Sequence, residues 1–360
     1  WQTVRMEPVA GKHIKNLRIT PDIDRNLLTV KAELNSACPS DFVEVNVYDG
    51  NQLVATGKSI NAEPVEVSMP RNAKLWSPDS PFLYTLKVTL KSGGKVVDKV
   101  DSYAAMRKYS TRRDADGIVR LQLNNEALFQ FGPLDQGWWP DGLYTAPSDE
   151  ALLFDIKAMK ELGFNMIRKH IKVEPSRWYM HCDREGILVW QDLPSPNLPE
   201  GHEAFARQNF EEEAVRIIDA FENHPSIVQW VVFNEGWGQF DTERMTQVVI
   251  DKVSPQSLVC CASGWNDAEI GDIKDSHSYP YPSCPIDQKR ACVNGEYGGI
   301  TLKVPGHIWP GGDFGYTTVE TPEDFTVMFN DLADKIKDHY YYGLNAAVYT
   351  QLSDVEIEKN

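Results

Sequence analysis

Residues 227–235 have the sequence IVQWVVFNE, a run of mostly β-branched and aromatic residues that ends in Asn234 and Glu235. The run is short and lacks a polar face, so it predicts a strand that is buried on both sides. Other short apolar runs along the chain have the same character. The full set of predicted strands is 128–131, 166–167, 187–190, 227–233, 258–259, 272–277, 291–293 and 346–349.

Segments with the apolar spacing of amphipathic helices alternate with these strands. The residues that mark expected helix starts and ends are Ser148, Gly163, Pro175, Gly186 and Thr321. Eight strands alternating with helices predict a (β/α)8 TIM barrel over residues 109–360, with its last helix missing. An open doubly wound sheet is the alternative, but the glycine-rich first turn that such a sheet uses for nucleotides is absent.

Residues 1–108 have a different pattern, in which polar and apolar residues alternate in short stretches. Residues 43–47 (VEVNV) and 84–90 (YTLKVTL) are examples, and turn residues at 48–51 and 92–94 separate such stretches. Short strands of period two at this spacing predict an immunoglobulin-like β-sandwich. The chain is therefore expected to be multidomain, a β-sandwich followed by an α/β barrel.

Composition excludes several classes of partner. The formal charge of −16 argues against nucleic acid, and no apolar run is long enough for a transmembrane helix. Six cysteines form no C-x-x-C pair, so a zinc or redox site is not expected, and cysteine usage does not decide the compartment. Ten tryptophans and fourteen tyrosines suit the flat faces of sugar rings, although most aromatic residues belong to cores.

Two acidic residues follow predicted strands at positions where barrels carry their chemistry. Glu235 follows the run 227–233, and Glu296 follows the run 291–293 within GEYGG. The interval leaves room for two further strand–helix units, which places the acids on strands four and seven, across the barrel mouth. Glycoside hydrolysis needs two carboxyl groups, and retaining enzymes hold them about 5–5.5 Å apart. An acid after a strand, taken alone, is more often a solvated loop residue or a helix cap.

Four segments resemble glycoside hydrolase family 2, the group of β-galactosidases, β-glucuronidases and β-mannosidases. Residues 1–8 are similar to the end of the family's N-terminal jelly-roll domain, and residues 75–84 to its immunoglobulin-like domain. Residues 223–235 resemble the acid/base signature, and residues 296–298 (Glu-Tyr-Gly) resemble the nucleophile segment. The resemblance implies a fragment of a longer enzyme, with a remnant strand of the missing jelly-roll domain at 1–8.

Carried over residue by residue, the resemblance implies roles for five side chains. Glu235 would be the general acid/base and Glu296 the nucleophile. Asn234 would hydrogen-bond the sugar 2-hydroxyl, and Tyr279 would touch the nucleophile. Arg168 would lie beside Glu296 and keep it ionised, because a nearby cation lowers the pKa of a carboxyl group.

Further candidate sugar ligands follow the predicted strands, and several depart from the family pattern. They are Asp135, His170, Asp192 and His277, with Trp237, Trp265 and Trp309 as stacking surfaces and Trp138 or Trp139 as additional ones. His170 lies one residue earlier than the histidine that many members carry, and Asp192 stands where the family often has Glu. These departures concern the choice of substrate rather than the carboxyl pair.

The function implied is that of a retaining exo-β-glycosidase acting on an oligosaccharide or β-glycoside. β-Galactosidase is the first choice of activity, and β-glucuronidase or β-mannosidase is the alternative. A catalytically silent carbohydrate-binding relative would have lost an acid, whereas both are present. A metal-assisted barrel hydrolase would need an H-x-H or HExxH spacing, which the chain lacks. No cofactor or metal is expected, and the full-length protein could form a homo-oligomer.

Overall fold

The computed structural model describes residues 4, 6–60, 62–196, 198, 200–253, 255–312 and 314–360. Residues 1–3 and 5 of the remnant strand expected at 1–8 lie outside the described residues, and residues 4 and 6–8 form no strand. Among the described residues, no helix combines the length and the apolar character needed to cross a lipid bilayer.

The first part of the chain folds into two facing antiparallel sheets. Its strands are β1 (Ile14–Asp22), β2 (Leu27–Leu34), β3 (Asp41–Asp49), β4 (Gln52–Ile60), β5 (Val65–Ser68), β6 (Trp76–Ser77), β7 (Ser80–Pro81), β8 (Tyr84–Ser92) and β9 (Lys95–Ala104). One sheet has the order β1-β2-β5 and the other β4-β3-β8-β9. Val43, Val45 and Val47 alternate into the space between the sheets and are fully buried there. The predicted immunoglobulin-like sandwich is thereby confirmed.

A small hairpin sheet connects the sandwich to the second part of the chain. It consists of β10 (Tyr109–Arg113), β11 (Val119–Leu123) and β12 (Glu126–Ala127). Leu121 and Leu123 join the apolar core inside the barrel, at the end where the strands begin. The hairpin therefore closes the lower end of the barrel. The boundary between the two domains at residue 108 stays a prediction.

The second part of the chain contains a sheet of eight parallel strands. In chain order its elements are β13 (Gln130–Asp135), α1 (Asp149–Glu161), β14 (Met166–Lys169), α2 (Ser176–Glu185), β15 (Leu188–Asp192), α3 (Glu203–Phe221), β16 (Ile227–Asn234), α4 (Thr242–Val253), β17 (Leu258–Ser263), β18 (Ile273–His277), β19 (Ala291–Gly298), β20 (Ile300–Leu302), β21 (Thr317–Val319), α5 (Pro322–Tyr341) and β22 (Leu344–Thr350). The strand order is β17-β16-β15-β14-β13-β22-β19-β18, and a backbone hydrogen bond of 2.8 Å from Asp272 to Val259 links the two outer strands.

The predicted barrel is confirmed in its strands, but two of its connections carry no helix. The described segments 264–272 and 278–290, which follow the fifth and sixth barrel strands, form loops instead. In the second loop Pro280, Pro282 and Pro285 lack the backbone N–H groups that a helix interior requires. The strands on either side, β17 and β19, are nevertheless buried along their whole length.

The segment Asn223-His224-Pro225-Ser226 docks the sandwich onto the lower end of the barrel. The Asn223 side chain accepts a hydrogen bond of 2.9 Å from the backbone N–H of Ile19 and donates one of 2.5 Å to the carbonyl of Leu17. Asp183 accepts hydrogen bonds from Tyr103 at 2.6 Å and from the backbone of Ser226 at 2.9 Å. Residues 223–226, the first part of the segment 223–235, thus form a structural joint between the domains.

Replacement of Asn223 by Ala is expected to lower the free energy of unfolding by about 2 kcal/mol, since two backbone groups of β1 lose their partners. Urea unfolding followed by tryptophan fluorescence measures the change. Asn330→Ala, at an exposed position of α5, is the control and should shift stability by at most about 0.5 kcal/mol. Equal effects of the two substitutions on the free energy of unfolding would contradict the role of Asn223 as a structural joint between the domains.

Candidate active site

The carboxyl ends of the barrel strands bring the predicted acids to one place. Glu235 directly follows β16, the fourth barrel strand, and Glu296 lies in β19, the seventh. The pairing of β19 with β22 is irregular between Asn294 and Tyr297, and a bulge of this kind re-aims the side chain that it carries. The Cα atom of His277, at the end of β18, lies opposite that of Glu296.

Glu235 lies where substrate can reach it. Its φ is +58°, in the left-handed region that residues with a Cβ rarely adopt, and its backbone N–H is fixed by a hydrogen bond of 2.7 Å to Ser263. The carboxylate accepts hydrogen bonds of 2.9 Å from His277 Nδ1 and 2.9 Å from Trp237 Nε1. Its side chain keeps 16% of its surface exposed. Strain of this type often marks a functional position.

Glu296 is more enclosed and is held as an anion. It is 5% exposed, and its two oxygens accept hydrogen bonds from Arg168 Nη1 at 3.2 Å and from Tyr279 Oη at 2.6 Å. Burial alone would raise the pKa of this carboxyl group, but the charges of His277, His170 and Arg168 lower it below its usual range. An ionised, oriented carboxylate is the form that a nucleophile requires.

Arg168 is the fully buried hub of this network. It makes two hydrogen bonds to Asp192, of 3.1 and 2.9 Å, and one of 2.9 Å to Asn234 Oδ1. It also donates to the carbonyl of Gly295 at 3.0 Å, beside Glu296. The bond to Oδ1 fixes the orientation of the Asn234 amide group. The amide nitrogen has no hydrogen-bond acceptor among the described residues, so it is available to a ligand.

His277 lies between the two acids. Its Nδ1 is 2.9 Å from an oxygen of Glu235 and 3.5 Å from one of Glu296, and one side-chain atom of each of the three lies within 4.8 Å of the others. A hydrogen bond joins His277 to Glu235, and the charge of His277 lowers the pKa of Glu296. Gly264 makes room for the ring, because a Cβ at this position would lie 2.8 Å from His277 Nδ1.

Three more of the predicted residues lie close to the pair. His170 Nδ1 is 2.9 Å from Asp192 and 4.0 Å from Glu296. Trp237, which is 68% exposed, donates to Glu235, and the half-exposed Trp265 ring packs edge-on to His277 with centroids 6.1 Å apart. Both indoles therefore have faces available beside the acids.

Asp135 is not brought to the pair. In the register of β13 and β14, Leu134 faces Arg168, so Asp135 lies on the opposite side of the sheet beside Lys169. Its oxygens accept hydrogen bonds of 2.5 Å from Lys169 and 2.7 Å from the backbone of Gly137. Asp135 thus belongs to a buried ion-pair cluster with Lys169, and its role as a sugar ligand stays a prediction.

The other tryptophans singled out from the sequence have their described surroundings elsewhere, or none with the acids. Trp138 packs edge-on against Tyr144 with centroids 5.1 Å apart, and Trp139 packs against the core between strands and helices. Trp309 is half-buried in the loop between β20 and β21. Of the tryptophans singled out from the sequence, only Trp237 and Trp265 have a described contact with Glu235 or His277.

Several residues of the site escaped the sequence analysis. Tyr316 stacks on Tyr279 with ring centroids 3.5 Å apart, and it comes from an irregular loop without periodic pattern. Asp275 lies behind His277, and Glu358 lies at the edge of the site, beyond the last barrel strand. Asp275 is two residues before His277 on β18. Alternate residues of a strand lie on the same side, and this was the only sequence pattern that could have indicated Asp275.

Comparisons with known proteins identify the family of the chain. A family model described as glycosyl hydrolases family 2 matches residues 12–107, and the TIM barrel domain of the same family matches residues 146–297. A β-galactosidase of Lactococcus lactis is 28% identical over 253 residues, which is 66% of this chain and 24% of that protein. A putative β-glucuronidase of Formosa agariphila is 27% identical, over 67% of this chain and 30% of that protein.

Solved structures share the fold. A β-glucuronidase from Ruminococcus gnavus in complex with C6-substituted uronic isofagomine has a TM-score of 0.77 at 15% identity, covering 98% of this chain and 63% of that one. A GH2 β-galacturonidase from Eisenbergiella tayi bound to galacturonate has a TM-score of 0.72 at 18% identity, covering 95% and 65%. The chain spans about a quarter to a third of the length of the first curated relatives. It belongs to the glycosyl hydrolases family 2.

Proposed function

We propose that the full-length protein is a retaining exo-β-glycosidase, with Glu296 as nucleophile and Glu235 as general acid/base. The observation that carries the proposal is the approach of the two carboxyl groups, which have oxygens within 4.8 Å of each other. Retention uses a separation of about 5–5.5 Å, whereas inversion needs about 6.5–9.5 Å to admit a water molecule. This close approach supports direct attack by Glu296 on the sugar rather than activation of a water molecule.

In the first step, the Glu296 carboxylate attacks the anomeric carbon while Glu235 gives its proton to the departing glycosidic oxygen. The bond to the leaving group breaks and a glycosyl ester of Glu296 forms. Arg168 and Tyr279 hold the attacking carboxylate in place. The amide of Asn234, oriented by Arg168, donates to the sugar 2-hydroxyl.

In the second step, Glu235 acts as a base. It takes a proton from water, the water oxygen attacks the anomeric carbon, and the bond to Glu296 breaks. Two displacements restore the original β configuration. The exposed faces of Trp237 and Trp265 provide apolar surface for sugar rings beside the acids.

A neutral sugar fits this site better than a uronic acid because Glu358 lies at its edge. Thr350 Oγ1 lies 2.8 Å from Tyr279 Oη, and the next residue, Gln351, accepts a hydrogen bond of 2.8 Å from Gln136. Gln136 also donates to Glu358 at 3.2 Å.

Burial raises the pKa of Glu358 and the charge of Glu296 raises it further, which indicates that the two acids interact. A carboxylate here accepts hydrogen bonds from hydroxyls and repels the carboxylate of a uronic acid.

The proposal predicts turnover of 4-nitrophenyl β-galactoside by the full-length protein in preference to the β-glucuronide. Replacement of Glu358 by Gln should reduce that preference, measured as the ratio of the two kcat/KM values, by about tenfold, because one repulsive charge is removed.

Glu356→Gln is the matched control, since it removes a charge from the same segment two residues away and should leave the ratio unchanged. A wild-type protein that prefers the glucuronide would contradict the choice of sugar. Absence of turnover with every nitrophenyl β-glycoside would favour the catalytically silent carbohydrate-binding relative.

A further inference from the structure

Both ring nitrogens of His277 are engaged by protein groups, which is unexpected for a sugar ligand. Nδ1 faces Glu235 at 2.9 Å, and Nε2 lies 2.7 Å from Ser263 Oγ. The side chain is 1% exposed, so a substrate hydroxyl has little access to the ring. The ring therefore acts on substrate through its neighbours.

A chain of hydrogen bonds runs from His277 to a buried acid. Ser263 Oγ lies 2.5 Å from Asp275 Oδ2, and the other oxygen of Asp275 accepts a hydrogen bond of 2.6 Å from the backbone of Gly295. Ser263 and Asp275 are both buried. With the Ser263 hydroxyl donating to Asp275, its oxygen accepts from His277 Nε2–H, while Nδ1–H donates to Glu235. This arrangement places a proton on each ring nitrogen.

The charges around His277 favour this doubly protonated ring. The groups that face it are Glu235, Glu296, Asp275 through Ser263, and Arg168, whose Nη1 lies 3.4 Å from Nε2. Burial lowers the pKa of His277, but Glu296, Glu235 and Asp275 outweigh burial and Arg168 and raise it above its usual value. Three acids against one competing cation hold the positive charge on the ring.

We propose that His277, supported by Ser263 and Asp275, is a positioning residue that stores the proton which Glu235 delivers to the leaving group. The inference rests on the proposed function, because it assigns a source for the acid's proton. In the glycosylation step the proton passes from His277 Nδ1 to Glu235 Oε1 and from that carboxyl to the glycosidic oxygen. When Glu235 later takes a proton from water, it returns that proton to Nδ1, so the balance closes over one turnover.

The test is the pH dependence of kcat/KM for phenyl β-galactoside, a substrate whose poor leaving group needs the proton. His277 is charged below its pKa, so activity should be lost as pH rises through that value. Asp275→Asn removes the charge that stabilises protonated His277 and should move this basic limb to lower pH by about one unit. Ser263→Ala breaks the same link with a smaller change and should move the limb in the same direction.

Two controls separate this role from a structural one. Asp272→Asn removes a half-buried carboxylate immediately before the same strand and should leave the limb in place. In a His277→Gln background, adding Asp275→Asn should produce no further shift. With 2,4-dinitrophenyl β-galactoside, which needs little protonation, the limb should be insensitive to the substitutions.

An unshifted limb in both Asp275→Asn and Ser263→Ala, with wild-type activity intact, would overturn the inference while leaving the proposed function standing. A wild-type protein without glycosidase activity would instead overturn the proposed function.

Discussion

Replacement of Glu296 by Gln is expected to lower kcat for every β-galactoside by at least about 10⁴-fold. An amide keeps the shape of the side chain and its contacts with Arg168 and Tyr279, but it cannot form the glycosyl ester through which the reaction passes. Because the loss comes from the missing glycosyl ester and not from protonation of the leaving group, it should be independent of the leaving group. Steady-state assays with nitrophenyl and phenyl galactosides measure it.

Glu269→Gln is the control for this substitution. Glu269 is exposed in the loop that follows the fifth barrel strand, and its replacement should change kcat less than about twofold. Residual activity of the Glu296 variant above about one-hundredth of wild type, in protein that melts at the normal temperature, would remove Glu296 from the nucleophile's role.

Replacement of Glu235 by Gln is expected to produce a loss that depends on the leaving group. Phenyl β-galactoside requires a proton at its oxygen, so its kcat/KM should fall by about 10²–10⁴-fold. The kcat/KM for 2,4-dinitrophenyl β-galactoside should fall much less, since dinitrophenolate departs without protonation. Its second step still lacks a base, so the glycosyl ester should accumulate and KM should fall with kcat.

Glu243→Gln, in the first turn of α4, provides an exposed acid a short distance further along the chain as control. It should leave the kcat/KM values for both substrates unchanged. An equal loss for phenyl and dinitrophenyl galactosides in the Glu235 variant would mean that Glu235 does not protonate the leaving group.

Local signals in the sequence were sufficient to predict most of the barrel. Ser148 and Thr321 cap α1 and α5 through their side chains, and Gly186 ends α2 in a left-handed conformation, as their residue types predict. The missing helices after the fifth and sixth strands were harder to anticipate, because an alternating pattern leads one to expect a helix after every strand. The clustered prolines of 278–290 were the available warning.

The acids of the site could be predicted because strand ends converge in a barrel, whichever side chains they carry. The side of the sheet on which each side chain lies was harder to predict. Arg168 and Lys169 are neighbours in the sequence, yet Arg168 reaches Glu296 while Lys169 pairs with Asp135 beneath the helices. A shift of one residue reverses the side, and the short apolar runs do not reveal the register. Glu358 depends on chain folding beyond the last strand, for which the sequence carries no periodic signal.

The division of roles between the two acids is the central claim, and the anomer formed with azide tests it most directly. In the Glu235→Gln variant, azide needs no general base, so it should restore turnover of 2,4-dinitrophenyl β-galactoside by attacking the glycosyl ester of Glu296. That ester has the α configuration, so attack from the opposite face should give β-galactosyl azide, which its proton coupling constant in NMR identifies. Formation of α-galactosyl azide by this variant would contradict the account and exchange the roles of Glu235 and Glu296.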